Sequence, residues 1–201
     1  MKRSLARLFS GSEFPYLSML MGIFALILFI FYDPGSSFQY DRTAIASGEL
    51  WRIITGHWVH WSFDHFLWCV ITFVALGAIC ERQNRPGFIL SVSLSAIVIP
   101  VFCWFADPAM HFYRGLSGLC STIFVVAFIQ MVQKAVSDKD LLGIILPTLA
   151  GCFFIAKTLF EFITGQALFV QSTTLFTPVP MAHLAGALVG VIIAIVTGGR
   201  V

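Results

Sequence analysis

The chain has 201 residues, of which 58% are hydrophobic, 21 are Phe and only 11% are charged. So few polar residues cannot clothe a water-soluble core, which excludes a soluble globular domain. The net charge of +2 is uninformative by itself, and nothing in the chain resembles a nucleic-acid surface, a phosphate loop or a low-complexity tail.

Six apolar segments, at about 17–32, 65–80, 88–105, 116–132, 141–163 and 181–196, predict an all-α polytopic membrane protein. The loops leave no room for a second domain, so residues 1–201 read as one six-helix bundle. The basic start (Lys2, Arg3, Arg7) precedes an apolar run without a small-residue cleavage site, which reads as a retained first helix. With a cytoplasmic N-terminus, the inner segments hold Lys2, Arg3, Arg7, Arg82, Arg85, Lys134, Lys139 and Arg200. The outer segments hold only Arg42, Arg52 and Arg114, so the positive-inside rule places both termini in the cytoplasm.

In that orientation the second, fourth and sixth segments begin at the outer side. His65 opens the second, Ser117 the fourth and His183 the sixth, so three polar residues converge at one depth. Helix N-termini carry unpaired N–H groups and partial positive charge, suited to a developing oxyanion. A serine becomes a nucleophile only when a base takes its proton at hydrogen-bonding distance. Ala182, Gly186 and Gly190 form a small-xxx-small stripe for close helix approach, while Gly115 and Gly118 relieve crowding around Ser117. The Gly-x-Ser-Gly and the small-xxx-small stripe each alone read as ordinary packing, whereas an intramembrane His is a better functional candidate; the combination points to a nucleophile and its base.

Gly115-Leu116-Ser117-Gly118, Ala182-His183-Leu184-Ala185-Gly186-Ala187-Leu188-Val189-Gly190, Trp51-Arg52 and His65 together resemble the rhomboid intramembrane serine proteases. The resemblance runs from about Gly48 to Gly190. It implies Ser117 as nucleophile, His183 as general base and acid, and an oxyanion site made by His65 and the Ser117 backbone. No acidic third member is apparent, so a Ser-His dyad without cofactor or metal is expected. Within the family the chain is most similar to the rhombosortase branch, through its minimal size, Gly48-Glu49-Leu50-Trp51-Arg52, Thr55-Gly56-His57, Tyr113 and the Lys157–Glu161 pair. That implies a bacterial inner-membrane enzyme with its site toward the periplasm. Its substrates would be single-pass proteins with a C-terminal tail of Gly-Gly, spanning helix and basic residues.

The chain departs from the family pattern at two positions. Cys69 stands where rhomboids place an oxyanion-binding Asn, and loss of such a donor costs about 2.7–4 kcal/mol. Ser121 stands where an aromatic or His commonly packs near the catalytic His.

Lys157 and Glu161, four residues apart, share a helix face and read as a structural ion pair or as a substrate-recognition site. Trp51 and Arg52 read as an interfacial anchor or as positioning groups for the first external loop. The polar stretch 165–180, with Gln166, Gln171, Ser172, Thr173, Thr174, Thr177 and Pro178, reads as a cap over the site or a plain connector. Five cysteines (Cys69, Cys80, Cys103, Cys120, Cys152) without a paired motif read as buried thiols. Two rival functions remain: a catalytically inactive rhomboid-like helix-binding protein, and a metal or haem site drawing on His57, His60, His65, His111 and His183.

Overall fold

The computed structural model describes residues 14–32, 37–168, 170 and 178–198. Its elements in chain order are α1 (Tyr16–Phe31), β1 (Tyr40–Asp41), α2 (Arg42–Ala46), α3 (Arg52–Thr55), α4 (Phe63–Gln83), α5 (Arg85–Ala106), β2 (Phe112–Tyr113), α6 (Ser117–Ser137), α7 (Leu141–Thr164) and α8 (Pro180–Gly198). Among the described residues five helices, α4 to α8, are long and apolar enough to cross a membrane. The apolar α1 has 16 residues, two fewer than the shortest of those spans. The chain is a polytopic membrane protein.

The helix boundaries follow from local chemistry that extends most of the predicted runs. Ser62 caps α4 by accepting from the His65 N–H, and Asp64 sits in its first turn. Asn84 ends α4 and caps α5 through Gly87 N–H at 3.0 Å, with Pro86 in the first turn of α5. Asp140 caps α7, whose other end closes on Gly165 in the left-handed region at φ +67°.

Helices α4, α5, α6 and α8 surround a core that includes Phe73, Phe88, Ile99, Leu119, Ile123 and Ile193. The α6–α8 seam is the tightest. A Cβ on Gly186 would strike the Gly118 carbonyl oxygen, and one on Gly190 would lie 2.7 Å from the Thr122 carbonyl oxygen. Close approach also lets Thr122 Oγ1 donate to the Gly186 carbonyl at 2.9 Å. Along Gly186 and Gly190 the two backbones approach closely. By contrast, α7 is loosely seated: 6% of its apolar span is buried, against 56% for α6. Its hold on the bundle includes a stacked Phe124–Phe154 pair at 4.8 Å and Gly151 against Phe128.

The connection between α1 and α4 carries structure that no periodicity announced. Its strand β1 pairs antiparallel with β2, matching Tyr40 to Tyr113 and Asp41 to Phe112. Asp41 then caps α2 through Thr43 N–H and Ala44 N–H. This small ribbon ties the first loop to the segment that leads into Ser117.

Candidate active site

Ser117 is the first residue of α6, so its N–H is among those with no partner inside the helix. Gly115 shapes the approach to it. Gly115 has φ +114°, and a Cβ there would fall 2.6 Å from Cε1 and 2.7 Å from Nε2 of His65. A side chain at 115 would thus be strained by the backbone and would collide with the imidazole. Gly115 N–H donates to the Gly56 carbonyl at 3.0 Å, and the Tyr113 hydroxyl donates to the Gly115 carbonyl at 2.9 Å. Tyr113 also lies 3.3 Å from His57 Nδ1, while His57 Nε2 meets the Ala96 carbonyl at 3.2 Å. Complete burial pulls His57 down to about 4, so it is neutral and its Nε2–H serves Ala96. Burial, with His65 beside it, likewise holds His60 well below the ordinary histidine range.

His183 stands in the first turn of α8, beside the fully buried Ala182. A Cβ on Gly118 would lie 3.3 Å from the Ala182 carbonyl, so the residues adjacent to Ser117 and His183 are in backbone contact. Ser117 and His183 line the same cavity, of about 370 Å³, together with His65, Cys69, Lys157 and Glu161. Its remaining walls are mostly apolar, including Phe124, Phe153 and Phe154. The Cys69 sulfur lines the cavity beside the backbone N–H groups of Leu116 and Ser117. Ser121 also reaches the cavity, but its hydroxyl donates to the Ser117 carbonyl at 3.0 Å.

No acidic neighbour of the histidine is apparent from the sequence, and the structure places one beside it. Glu161 Oε2 lies 3.0 Å from His183 Nδ1, and its other oxygen, Oε1, accepts from Lys157 Nζ at 2.7 Å. The Lys157–Glu161 pair foreseen from its four-residue spacing is formed, and it adjoins the histidine.

Trp51 and Arg52 do not line the cavity. The Trp51 indole is half exposed and donates to the Ser37 carbonyl at 3.0 Å. Buried Arg52 joins Glu49 at 2.6 Å and donates to the Gln39 carbonyl at 3.0 Å. The Gln39 side chain accepts from Arg114, whose guanidinium lies 3.9 Å over the Trp61 ring. Arg114 and Trp61 do line the cavity and went unnoticed as site residues, although Arg114 directly precedes Gly115. Residues 171–177 of the expected cap, including Gln171, Ser172, Thr173, Thr174 and Thr177, lie outside the described residues, as do Lys2, Arg3, Arg7 and Arg200. Among the described residues no three His, Cys, Asp or Glu side chains converge as a metal site.

Comparison with known proteins gives the family. Over 121 residues the chain is 24% identical to the protein named "Putative rhomboid protease YdcA" of Bacillus subtilis (strain 168). That match covers 56% of this chain and 61% of the relative, so the chain spans less than two thirds of that protein's length. The family model of the Rhomboid domain matches residues 47–200, which is well over half of the chain and includes the whole cavity-forming core, and the chain therefore belongs to the rhomboid domain family.

Proposed function

We propose that the chain is an intramembrane serine endopeptidase in which Ser117 is the nucleophile and His183 its base. The observation that carries this reading is that both residues, from the first turns of two helices in backbone contact, line one cavity. In the reaction, Ser117 Oγ attacks a peptide carbonyl while its proton passes to His183. The tetrahedral oxyanion is held by the Ser117 N–H, by His65 and, weakly, by the Cys69 thiol. Collapse expels the amine, which takes the proton from His183, and water then releases the acyl group by the same steps. The chemistry draws on side chains and backbone alone and requires no cofactor.

The finer reading is a single domain over residues 1–201 with six spans, α1 included, in a bacterial inner membrane. Both termini face the cytoplasm and the cavity faces the periplasmic side, which the distribution of Lys and Arg supports. Arg52, through Gln39 and Arg114, positions the external loop against the cavity wall. The substrates are single-pass membrane proteins, in the rhombosortase manner those with a Gly-Gly, spanning-helix and basic tail. Such a substrate is expected to be cut in preference to an unrelated rhomboid substrate; the reverse preference would remove the subfamily assignment.

The decisive test needs no known substrate. Membranes labelled with a fluorophosphonate are expected to show a labelled wild type, and no labelling in Ser117→Ala or His183→Ala variants that remain folded. An unlabelled wild type beside a labelled rhomboid control would favour an inactive helix-binding protein, with Cys69→Asn as the next variant.

A further inference from the structure

Glu161 is 2% exposed on α7, and each of its oxygens lies within ion-pair distance of a different side chain. Oε1 is fixed by Lys157 Nζ at 2.7 Å and approached by the Leu168 N–H at 3.5 Å. Oε2 faces His183 Nδ1 at 3.0 Å. A buried carboxylate is costly unless paired and hydrogen-bonded, and a structural pair would need only the lysine. Here the second oxygen is directed instead at the nitrogen of His183 that a Ser-His couple leaves over.

We infer that Glu161 is a positioning residue for His183, making a Ser-His-Glu arrangement in which the carboxylate comes from the loosely seated α7. This rests on the reading of Ser117 as nucleophile and His183 as base. A carboxylate at Nδ1 keeps the proton on that nitrogen, leaving the Nε2 lone pair to receive the proton of Ser117. It also offsets the positive charge that the imidazole acquires as Ser117 attacks. Lys157 holds the carboxylate in place by its other oxygen. Nδ1 and Oε2 meet at ion-pair distance, 3.0 Å, without the alignment of a full hydrogen bond. Among the described residues, the charged and titratable groups lining the cavity with His183 are Glu161 and Lys157 from α7, His65 and Cys69 from α4, Cys120 from α6, and Tyr113 and Arg114 from the segment that leads into α6. Of these, Glu161 is the one in ion-pair contact with the ring.

The test resolves fluorophosphonate labelling of the full-length protein into a maximal rate, kinact, and an apparent affinity, KI. Two variants are compared with wild type: Glu161→Gln, and the double variant Lys157→Met/Glu161→Leu, which removes the buried pair together and leaves no orphaned charge. Both are expected to lose about 100-fold or more in kinact, short of the ~10⁴-fold known for neutralising a fully aligned triad carboxylate. KI should stay within about twofold, because the probe does not bind through Nδ1. The double variant should also melt near the wild-type temperature, which keeps the test valid if Glu161→Gln folds poorly. Wild-type kinact in the double variant would reduce Glu161 to a structural partner of Lys157 and overturn the proposal, while leaving the serine peptidase reading intact. Labelling that persists in Ser117→Ala would remove that reading, and this proposal with it.

Discussion

Glu81 and Glu161 are both buried carboxylates on spanning helices, at 1% and 2% exposure, yet they are partnered in opposite ways. Glu81, near the end of α4 remote from His65, is met mainly by donors of the α1 start, Leu17 N–H at 3.0 Å, Ser18 N–H at 2.9 Å and Ser18 Oγ at 3.0 Å, with Arg85 farther off at 3.4 Å. It serves as a helix cap supplied from another helix, satisfying amides that α1 cannot pair internally. Glu161 is met by two titratable side chains at the wall of a cavity. Backbone amides neither move nor change protonation, so a charge held by them contributes to stability. A charge shared between a lysine and a histidine beside a serine can take part in proton transfer.

Removing the first carboxylate should therefore produce the largest stability effect with no change in chemistry. Glu81→Ala orphans two N–H groups, leaves the Ser18 hydroxyl to the Pro15 carbonyl alone, and removes the carboxylate 3.4 Å from Arg85, which also clasps the Phe14 carbonyl at 2.9 Å. Hydrogen bonds to charged groups contribute about 1.5–3 kcal/mol each and are not additive, so a loss of about 3 kcal/mol is expected. Thermal melting would measure it, and labelling per folded molecule should equal wild type. A labelling defect as large as that of Glu161→Gln would erase the distinction between the two carboxylates.

The contrast also shows what the sequence makes legible. Ser117, His183 and His65 could be placed at one depth because helix direction follows from the positions of Lys and Arg, and Gly186 and Gly190 marked the close seam. Lys157 and Glu161 were legible as a pair, since spacing alone defines a helix face. Their contact with His183 was not, because it depends on how α7 is rotated against α8, and the apolar residues around α7 leave that rotation unmarked. Glu81 caps a helix 63 residues away through Ser18, a side-chain-to-backbone contact without periodicity. The β1–β2 ribbon is two residues per strand, too short for any alternation to show.

At the cavity end, the structural group that titrates is His57, not a carboxylate. The fold holds it neutral down to about 4, whereas an unfolded histidine takes up its proton near 6.5. Between those values the unfolded chain binds more protons, so stability should fall as pH is lowered from about 6.5 and reach its full loss below about 4. The expected loss from His57 is about 3 kcal/mol. Melting temperature against pH checks it, and His57→Asn should flatten the acid slope, leaving the part that His60, displaced in the same direction, contributes.

A smaller effect is expected at the seam that aligns the two halves of the site. Gly186→Ala forces a methyl against the Gly118 carbonyl, which is backbone and cannot yield, so α6 and α8 must separate. Such overpacking costs about 1–3 kcal/mol. Because a displacement of about 1 Å can cost 10²-fold in rate, labelling should fall far more than stability. Equal and small losses in both would mean that the seam carries packing alone.

The smallest effect isolates one bond at the cap. Ser18 Oγ lies 3.0 Å from Glu81 Oε2, and its Cβ packs at 3.0 Å from where a Cβ on Gly77 would stand, so an alanine keeps the contact and loses only the hydroxyl. Ser18→Ala should cost about 1 kcal/mol by melting, the net worth of one such bond. In the Glu81→Ala background the same change should cost almost nothing, because its partner is already gone, which gives a coupling of about 1 kcal/mol in a double-mutant cycle. A full cost in both backgrounds would assign the hydroxyl to the Pro15 carbonyl, 3.1 Å away, and leave Glu81 as a cap for backbone amides only.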